Sequence, residues 1–321
     1  MKRNAMAARF PQGFKQSGFP PRPSRLVPGL PLALGYTLFY LSALVLIPLA
    51  AMVWKTAQLS WGEFWQTVTD PIVAASFQLS FTASAIAAAI NGVFGLIVAW
   101  VLVREPFPGR RLFDALIDFP FALPTAVAGL TFSQLYLTDG WIGGLGRHIT
   151  HAVNRAAELA GSGRVLQDGA LSWLNLSFSN TNTGIVIVLI FVGLPFVVRM
   201  VQPVLRDWDP DYEQAALSLG ANWWMILRRV IFPEIFPAWL SGVALAFARG
   251  IGEYGSVIFI AGNIPGKSQI APLQIVTKLD NFQTSQATAI GAVLLLYSLL
   301  ILLALNSLEW WFRRRETGAA G

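Results

Sequence analysis

The stretch PIVAASFQLSFTASAIAAAINGVFGLIVAWVLV, from Pro71 to Val103, contains no charged residue. An α-helix rises about 1.5 Å per residue, so about 20 mostly apolar residues cross a hydrocarbon core of about 30 Å. This run is long enough for one crossing, and four others like it frame the chain. Leu26 to Trp54, Phe119 to Thr138, Gly169 to Val198 and Asn281 to Leu308 are likewise free of charge. A sixth apolar stretch, Ile235 to Gly262, is interrupted only by Arg249 and Glu253. The pattern predicts an all-α membrane protein with about six transmembrane helices.

Composition agrees. Of 321 residues, 55% are hydrophobic and 12% charged, where a soluble protein carries about 25% charged residues. The net charge of +6 fits either a nucleic-acid-binding surface or the basic residues that orient a membrane protein. The positions of the charges decide. The first apolar stretch follows a basic tail but is far longer than the core of a cleaved signal, about 7–15 residues, so it reads as a retained helix starting in the cytoplasm. With six crossings, 16 of the 23 Lys and Arg fall inside, six outside, and Arg249 lies in the membrane. The surplus is therefore topological, both termini are expected in the cytoplasm, and no nucleic-acid partner is implied. The absence of cysteine excludes disulfides, thiolate zinc sites and Cys nucleophiles.

Several chemistries find no support. Gly266-Lys267-Ser268 suggests a phosphate-binding loop, but Ala261 stands where that motif requires glycine and Gly262 comes one residue late. His148 and His151 are three apart, with no Cys or carboxylate pair beside them to complete a metal site; they are expected in a solvated outer loop from Asp139 to Asp168 whose middle, His151 to Ala160, can form a short helix. No Ser/His/Asp grouping marks an enzyme, and neither a cofactor nor a metal is expected.

The inside loop after Arg199 has its own structure. Asp209 can cap a helix, Pro210 suits its first position and Gly220 can end it. Asn222 can cap a second helix running to Phe232, before Pro233, with Trp223, Trp224, Ile226, Leu227 and Ile231 beside Arg228 and Arg229. So much apolar area on a cytosolic segment needs a partner surface or the membrane face to cover it.

Here the residues become recognisable. Gln214-Ala215-Ala216, three residues, Gly220, nine residues, then Val230-x-Phe232-Pro233 resembles the EAA loop of ABC-importer permeases. Every spacing fits. Gln214 replaces the family's Glu, though Glu213 is adjacent, and Phe232 replaces Leu. Phe119 to Thr131, Pro195 to Arg199 and Gly252 to Ile264 resemble the sulfate/thiosulfate permeases that work beside a second, homologous permease. Molybdate permeases share the Gly-Glu-aromatic-Gly segment and the loop, whereas the run Leu123 to Gly129 favours sulfate.

The resemblance, which runs from about residue 26 to the end, implies a type-1 ABC importer permease fold, and together with the Pro-, Gly- and Arg-rich composition of the tail before it divides the chain. A basic, disordered tail (1–29) precedes the first transmembrane helix (30–54); a permease core (72–308) contains a coupling loop (205–235), and a cytoplasmic tail (309–321) follows. It also implies partners: two cytoplasmic ATPase subunits, a second permease, an extracytoplasmic sulfate-binding protein and membrane lipid. Glu213, Gln214, Ala215, Ala216, Gly220, Val230, Phe232 and Pro233 would couple to the ATPase. A self-sufficient ion-coupled transporter or channel is the rival outside this family.

Within the membrane, Arg249 and Glu253 lie four apart and can pair. Each charge costs about 2.5–3.5 kcal/mol at a helix centre, so neither should face lipid. The pair either fixes helix packing or presents Arg249 to an anion. Ala244, Ala248, Gly252 and Ser256 follow at four-residue spacing, a strip against which another helix can pack. Pro120 and Pro124 should break the third helix, and a broken helix needs cover from protein or a water-filled cavity. Thr125, Thr131 and Ser133 could then offer hydroxyls to the anion, or the break could only shape the bundle. Asn91 could bond a neighbouring helix.

Overall fold

A computed structural model describes residues 30–137, 140–159 and 181–318. The basic tail over 1–29 and most of the outer loop beyond Leu159 lie outside the described residues. The chain forms two compact units, residues 1–51 and 52–321. Helix α1 (Leu30–Thr56), whose residues up to Ala51 are the described part of the first, has an 18-residue window of mean hydropathy 2.0 and Pro48 in its interior.

In the second unit, α2 (Trp61–Val68) opens on a reciprocal cap: the Ser60 hydroxyl accepts the Glu63 amide, and the Glu63 carboxylate accepts the Ser60 amide at 2.8 Å. Asp70 caps α3 (Pro71–Arg104) by accepting the Ile72 amide at 2.8 Å, and Pro71 takes the first position, where its missing amide costs nothing. After Gly109 the chain forms α4 (Arg110–Ile117), α5 (Phe119–Ala122) and α6 (Thr125–Tyr136). The helix expected over Phe119 to Thr138 is thus broken. Leu123, which precedes Pro124, is extended at φ −84° and ψ 134°, the conformation that proline's ring imposes on its predecessor.

The outer segment forms α7 (Trp141–Leu159), longer than the short helix expected there. Thr181 caps α8 (Asn182–Arg206). Then follow α9 (Asp211–Ser218), α10 (Trp223–Ile226), a π turn over Leu227–Ile231, and α11 (Phe232–Ile251). The Phe232 amide reaches back five residues to the Leu227 carbonyl. Pro233 has no amide for the Arg229 carbonyl, so the ladder widens just before it. The second loop helix therefore does not stop at Phe232 but runs on, making Trp223–Ile251 one 29-residue span. That span ends at Ile251 rather than near Gly262, and α12 (Val257–Ile260) follows a bend. Last come α13 (Ala271–Asp280) and α14 (Thr284–Gly318), which carries helix through most of the expected C-terminal tail.

Among the described residues, five helices are long and apolar enough to cross a membrane: α1, α3, α8, the α10–α11 span and α14. The sixth expected crossing is the broken α5–α6 segment. The centre of the second unit is the mutual packing of α3, α8 and α11. Val197 is fully buried there, and a Cβ at Gly95 or Gly242 would come within 2.8 Å of it. Small residues let these backbones approach closely, the usual basis of helix association in lipid. The Trp239 indole clasps α3 by donating to the Gly92 carbonyl at 2.8 Å. The opposite face of α3 turns Val93, Phe94, Ile97 and Val101 outward, as lipid requires.

Candidate functional site

The loop between α8 and α11 is built by local rules. Helix α9 starts at Asp211, one residue later than the capping pattern suggests: Pro210 is the cap residue, and Asp209 accepts the Asp211 amide at 3.0 Å. Gly220 turns the chain in the left-handed region, φ +82°, while the Ala221 amide returns to the Ala216 carbonyl at 3.0 Å. Glycine meets this demand without the Cβ clash of other residues. Asn222 then caps α10 through the Met225 amide at 2.9 Å.

The structure distributes the eight loop residues unequally. Gln214, Ala215, Gly220 and Pro233 are exposed, whereas Ala216, Val230 and Phe232 pack against the core. Glu213 turns inward and pairs with Arg104 at 2.7 Å, and the Arg104 guanidinium also lies 5.2 Å from the centre of the Trp100 ring. A carboxylate of this loop is therefore bound to the end of α3, one position before the glutamine that departs from the motif. Trp223 and Trp224 meet edge to face at 4.8 Å and remain exposed.

A second polar cluster has no counterpart in the sequence reading. Arg199 grips Asp118 with two nitrogens, at 2.8 and 2.6 Å, and reaches the Asp114 carboxylate at 2.7 Å and its carbonyl at 2.7 Å. Gln202 accepts from Arg199 at 2.6 Å and donates to Asp114 at 3.0 Å. The bond from Gln202, with the Arg199 charge beside it, holds the Asp114 carboxyl below the usual carboxylate range. This network ties α4 to α8. In the sequence, Arg199 stands out as a basic residue at a membrane boundary and as the last residue of the Pro195 to Arg199 segment that resembles the sulfate permeases, whereas nothing marks Asp114, Asp118 or Gln202 as its partners.

In the membrane, Arg249 and Glu253 form the expected pair, 2.6 Å apart, but not on one continuous helix. Arg249 sits in the last turn of α11, and Glu253 lies beyond its end. Glu253 is 1% exposed and Arg249 37%. The other Glu253 oxygen accepts the Ser256 amide at 3.0 Å and hydroxyl at 2.7 Å, so the buried carboxylate is ion-paired through one oxygen and hydrogen-bonded through the other. The small-residue strip is likewise interrupted, since Gly252 and Ser256 fall outside α11.

The two segments that sequence singled out meet each other. A Cβ at Gly129 would lie 2.2 Å from the Ser256 carbonyl, and one at Gly255 would lie 2.3 Å from the Thr125 hydroxyl. Helix α6 and the Gly252 to Ser256 bend interlock at backbone distance, setting Thr125 against Gly255, two residues from Glu253. Thr131 spends its hydroxyl on the Val127 carbonyl of its own helix at 2.8 Å, and Ser133 is half-buried. Asn91 is fully buried near Gly193 and Ala246, with no hydrogen-bond partner for its side chain among the described residues.

Around Gly266, the amides of Lys267, Ser268 and Gln269 all converge on the Ile264 carbonyl. A phosphate-binding loop needs such amides unspent. His148 and His151 lie exposed on α7.

A helical, multi-pass membrane protein with a capped helix–glycine–helix loop outside its core is the architecture of an importer permease. The family model for the inner membrane component of binding-protein-dependent transport systems matches residues 91–317. The chain belongs to this family and is a multi-pass protein of the inner membrane. It is 41% identical to the sulfate transport system permease protein CysT of Escherichia coli (strain K12), over 92% of this chain and 97% of that protein. The CysT protein of a Synechocystis species is 42% identical, over 87% and 88%. In fold, the chain matches a bacterial alginate ABC transporter crystallised with an alginate pentasaccharide-bound periplasmic protein, with TM-score 0.63 over 87% of this chain and 92% of that one, at 16% identity. The fold is that of a type-1 importer permease.

Proposed function

We propose that this chain is the membrane-spanning permease subunit of an ABC importer that carries sulfate, and also thiosulfate, into the cell. The observation that carries this reading is the near full-length match to proteins named as sulfate permeases, 97% of the Escherichia coli relative. ATP is bound and hydrolysed by two separate cytoplasmic subunits, a second homologous permease completes the pore, and a binding protein delivers the anion from outside. Both termini lie in the cytoplasm.

The loop from Glu213 to Pro233 is the coupling element. Gln214, Ala215 and Gly220, exposed on one short segment, form its docking surface. Glu213, bound to Arg104, transmits movement of α9 to α3. Arg249 serves the pathway: Glu253 holds one of its nitrogens while the side chain stays part-exposed, so a positive group is fixed in place without being fully neutralised. Pro124 opens the start of α6, and Thr125, Thr131 and Ser133 line the same route with neutral groups.

The test is uptake of radiolabelled sulfate, with competing oxyanions, in cells that lack their sulfate permease and then receive this chain. Restored uptake, competed by thiosulfate and lost on ATP depletion, is expected. Competition by molybdate alone would reassign the anion, and uptake sensitive to an uncoupler but not to ATP depletion would mark an ion-coupled transporter. Arg249→Gln, with assembly verified, should lower uptake; normal uptake would remove Arg249 from the pathway.

A further inference from the structure

Arg104, Arg110 and Arg206 enter the sequence reading only as charges that orient the chain. The fold brings all three to the wall of one cavity of about 290 Å³, together with Trp208 and Pro210. Two of these positions have an ordinary electrostatic reason, because Arg104 ends α3 and Arg206 ends α8, where the helix dipole favours a cation. Arg110 has the opposite placement. It opens α4, where the dipole disfavours positive charge.

Few carboxylates balance the cluster. Glu213 takes one nitrogen of Arg104 at 2.7 Å. Asp114 stands 3.9 Å from Arg206 and is already committed to Arg199 and Gln202. No acidic side chain among the described residues forms an ion pair with Arg110. Two covered donors, Arg104 Nε and Trp208 Nε1, also lack an acceptor among those residues, and a covered donor left unbonded is costly. Guanidinium groups match the paired oxygens of sulfate and phosphate with two parallel bonds.

We propose that this cavity binds a tetrahedral oxyanion, either free sulfate or phosphate or the phosphate of a lipid headgroup, at a site separate from the translocation pathway. Arg104 belongs both to this cavity and to the ion pair with Glu213. A bound anion therefore competes with Glu213 for Arg104 and loosens α9 from α3. On the sulfate-importer reading, on which this consequence rests, imported anion acts back on the coupling loop from the cytoplasmic side.

The experiment uses the full-length protein in delipidated detergent micelles and follows thermal unfolding with sodium sulfate, sodium phosphate or sodium chloride at equal ionic strength. Sulfate or phosphate should raise Tm while chloride does not. Arg110→Gln and Arg206→Gln should each raise the half-saturating anion concentration about tenfold, as the loss of a charge-assisted hydrogen bond implies. Arg111→Gln, which removes an exposed charge next to Arg110 but not on the cavity wall, should leave it unchanged. A parallel arm compares nanodiscs of phosphatidylglycerol and phosphatidylcholine. Stabilisation specific to phosphatidylglycerol that both cavity variants lose, without a response to free anions, assigns the site to a lipid headgroup. Equal effects of chloride and sulfate, or responses that neither cavity variant alters, would overturn the proposal. So would loss of ATPase association in these variants with no oxyanion effect, since the cavity would then serve a protein contact. None of these readouts requires transport, so they stand apart from the uptake test.

Discussion

At the residue scale, Arg199 shows how one side chain can satisfy a topological rule and a structural one together. Its charge marks a membrane boundary, but its planar fork does the work that lysine cannot, gripping both Asp118 oxygens while reaching Asp114. Arg199→Lys keeps the charge and should still lower stability by about 1–3 kcal/mol, read from thermal unfolding in micelles. The Asp114 carboxyl, held below its usual range, binds its proton less readily in the folded chain than in the unfolded one. Its contribution to stability is therefore present above the ordinary carboxylate range and lost as pH falls through its lowered value. Asp114→Asn should be less stable near neutral pH and show a flatter loss of stability on acidification; an unchanged acid limb would remove Asp114 from that role.

At the scale of elements, the decisive feature is the meeting of two broken helices. The break at Pro124 and the end of α11 at Ile251 allow α6 and the Gly252 to Ser256 bend to meet at two glycines, Gly129 facing the Ser256 backbone and Gly255 facing the Thr125 side chain. Gly129→Ala would drive a Cβ into the Ser256 carbonyl, and overpacking of this kind costs about 1–3 kcal/mol. Gly252→Ala is the matched control, since nothing lies within 4 Å of its new Cβ and its backbone is at φ −90°. The expected result is a lower Tm and reduced sulfate uptake for Gly129→Ala and near-normal behaviour for Gly252→Ala; equal behaviour would show that the interlock has slack.

For the whole molecule, the testable quantity is orientation. The chain has no cysteine, so single cysteines report cleanly. Gly62 and Ser218 are exposed, on α2 and α9. With both termini inside, Gly62→Cys should react with a membrane-impermeant maleimide on cells whose outer barrier is opened. Ser218→Cys should react only after the inner membrane is permeabilised. The reverse pattern would invert the topology and move the coupling loop outside.

The sequence by itself determined the membrane class, the long apolar helices and, to within one residue, the starts of the loop helices. Each follows from near-neighbour chemistry: unbroken apolar runs, an Asp-Pro start, a glycine stop. It also exposed the Arg249 and Glu253 pair, because charges are conspicuous where nearly all others are missing. Only the tertiary structure decided what those residues touch. Glu213 meets Arg104 across 109 positions, Gly129 meets Ser256, and three arginines from three helix ends share one cavity. These contacts depend on how α3, α8 and α11 cross. That crossing is set by shape at buried glycines, which no periodicity in one chain reveals, because a glycine that admits a backbone is written the same way as one that faces lipid.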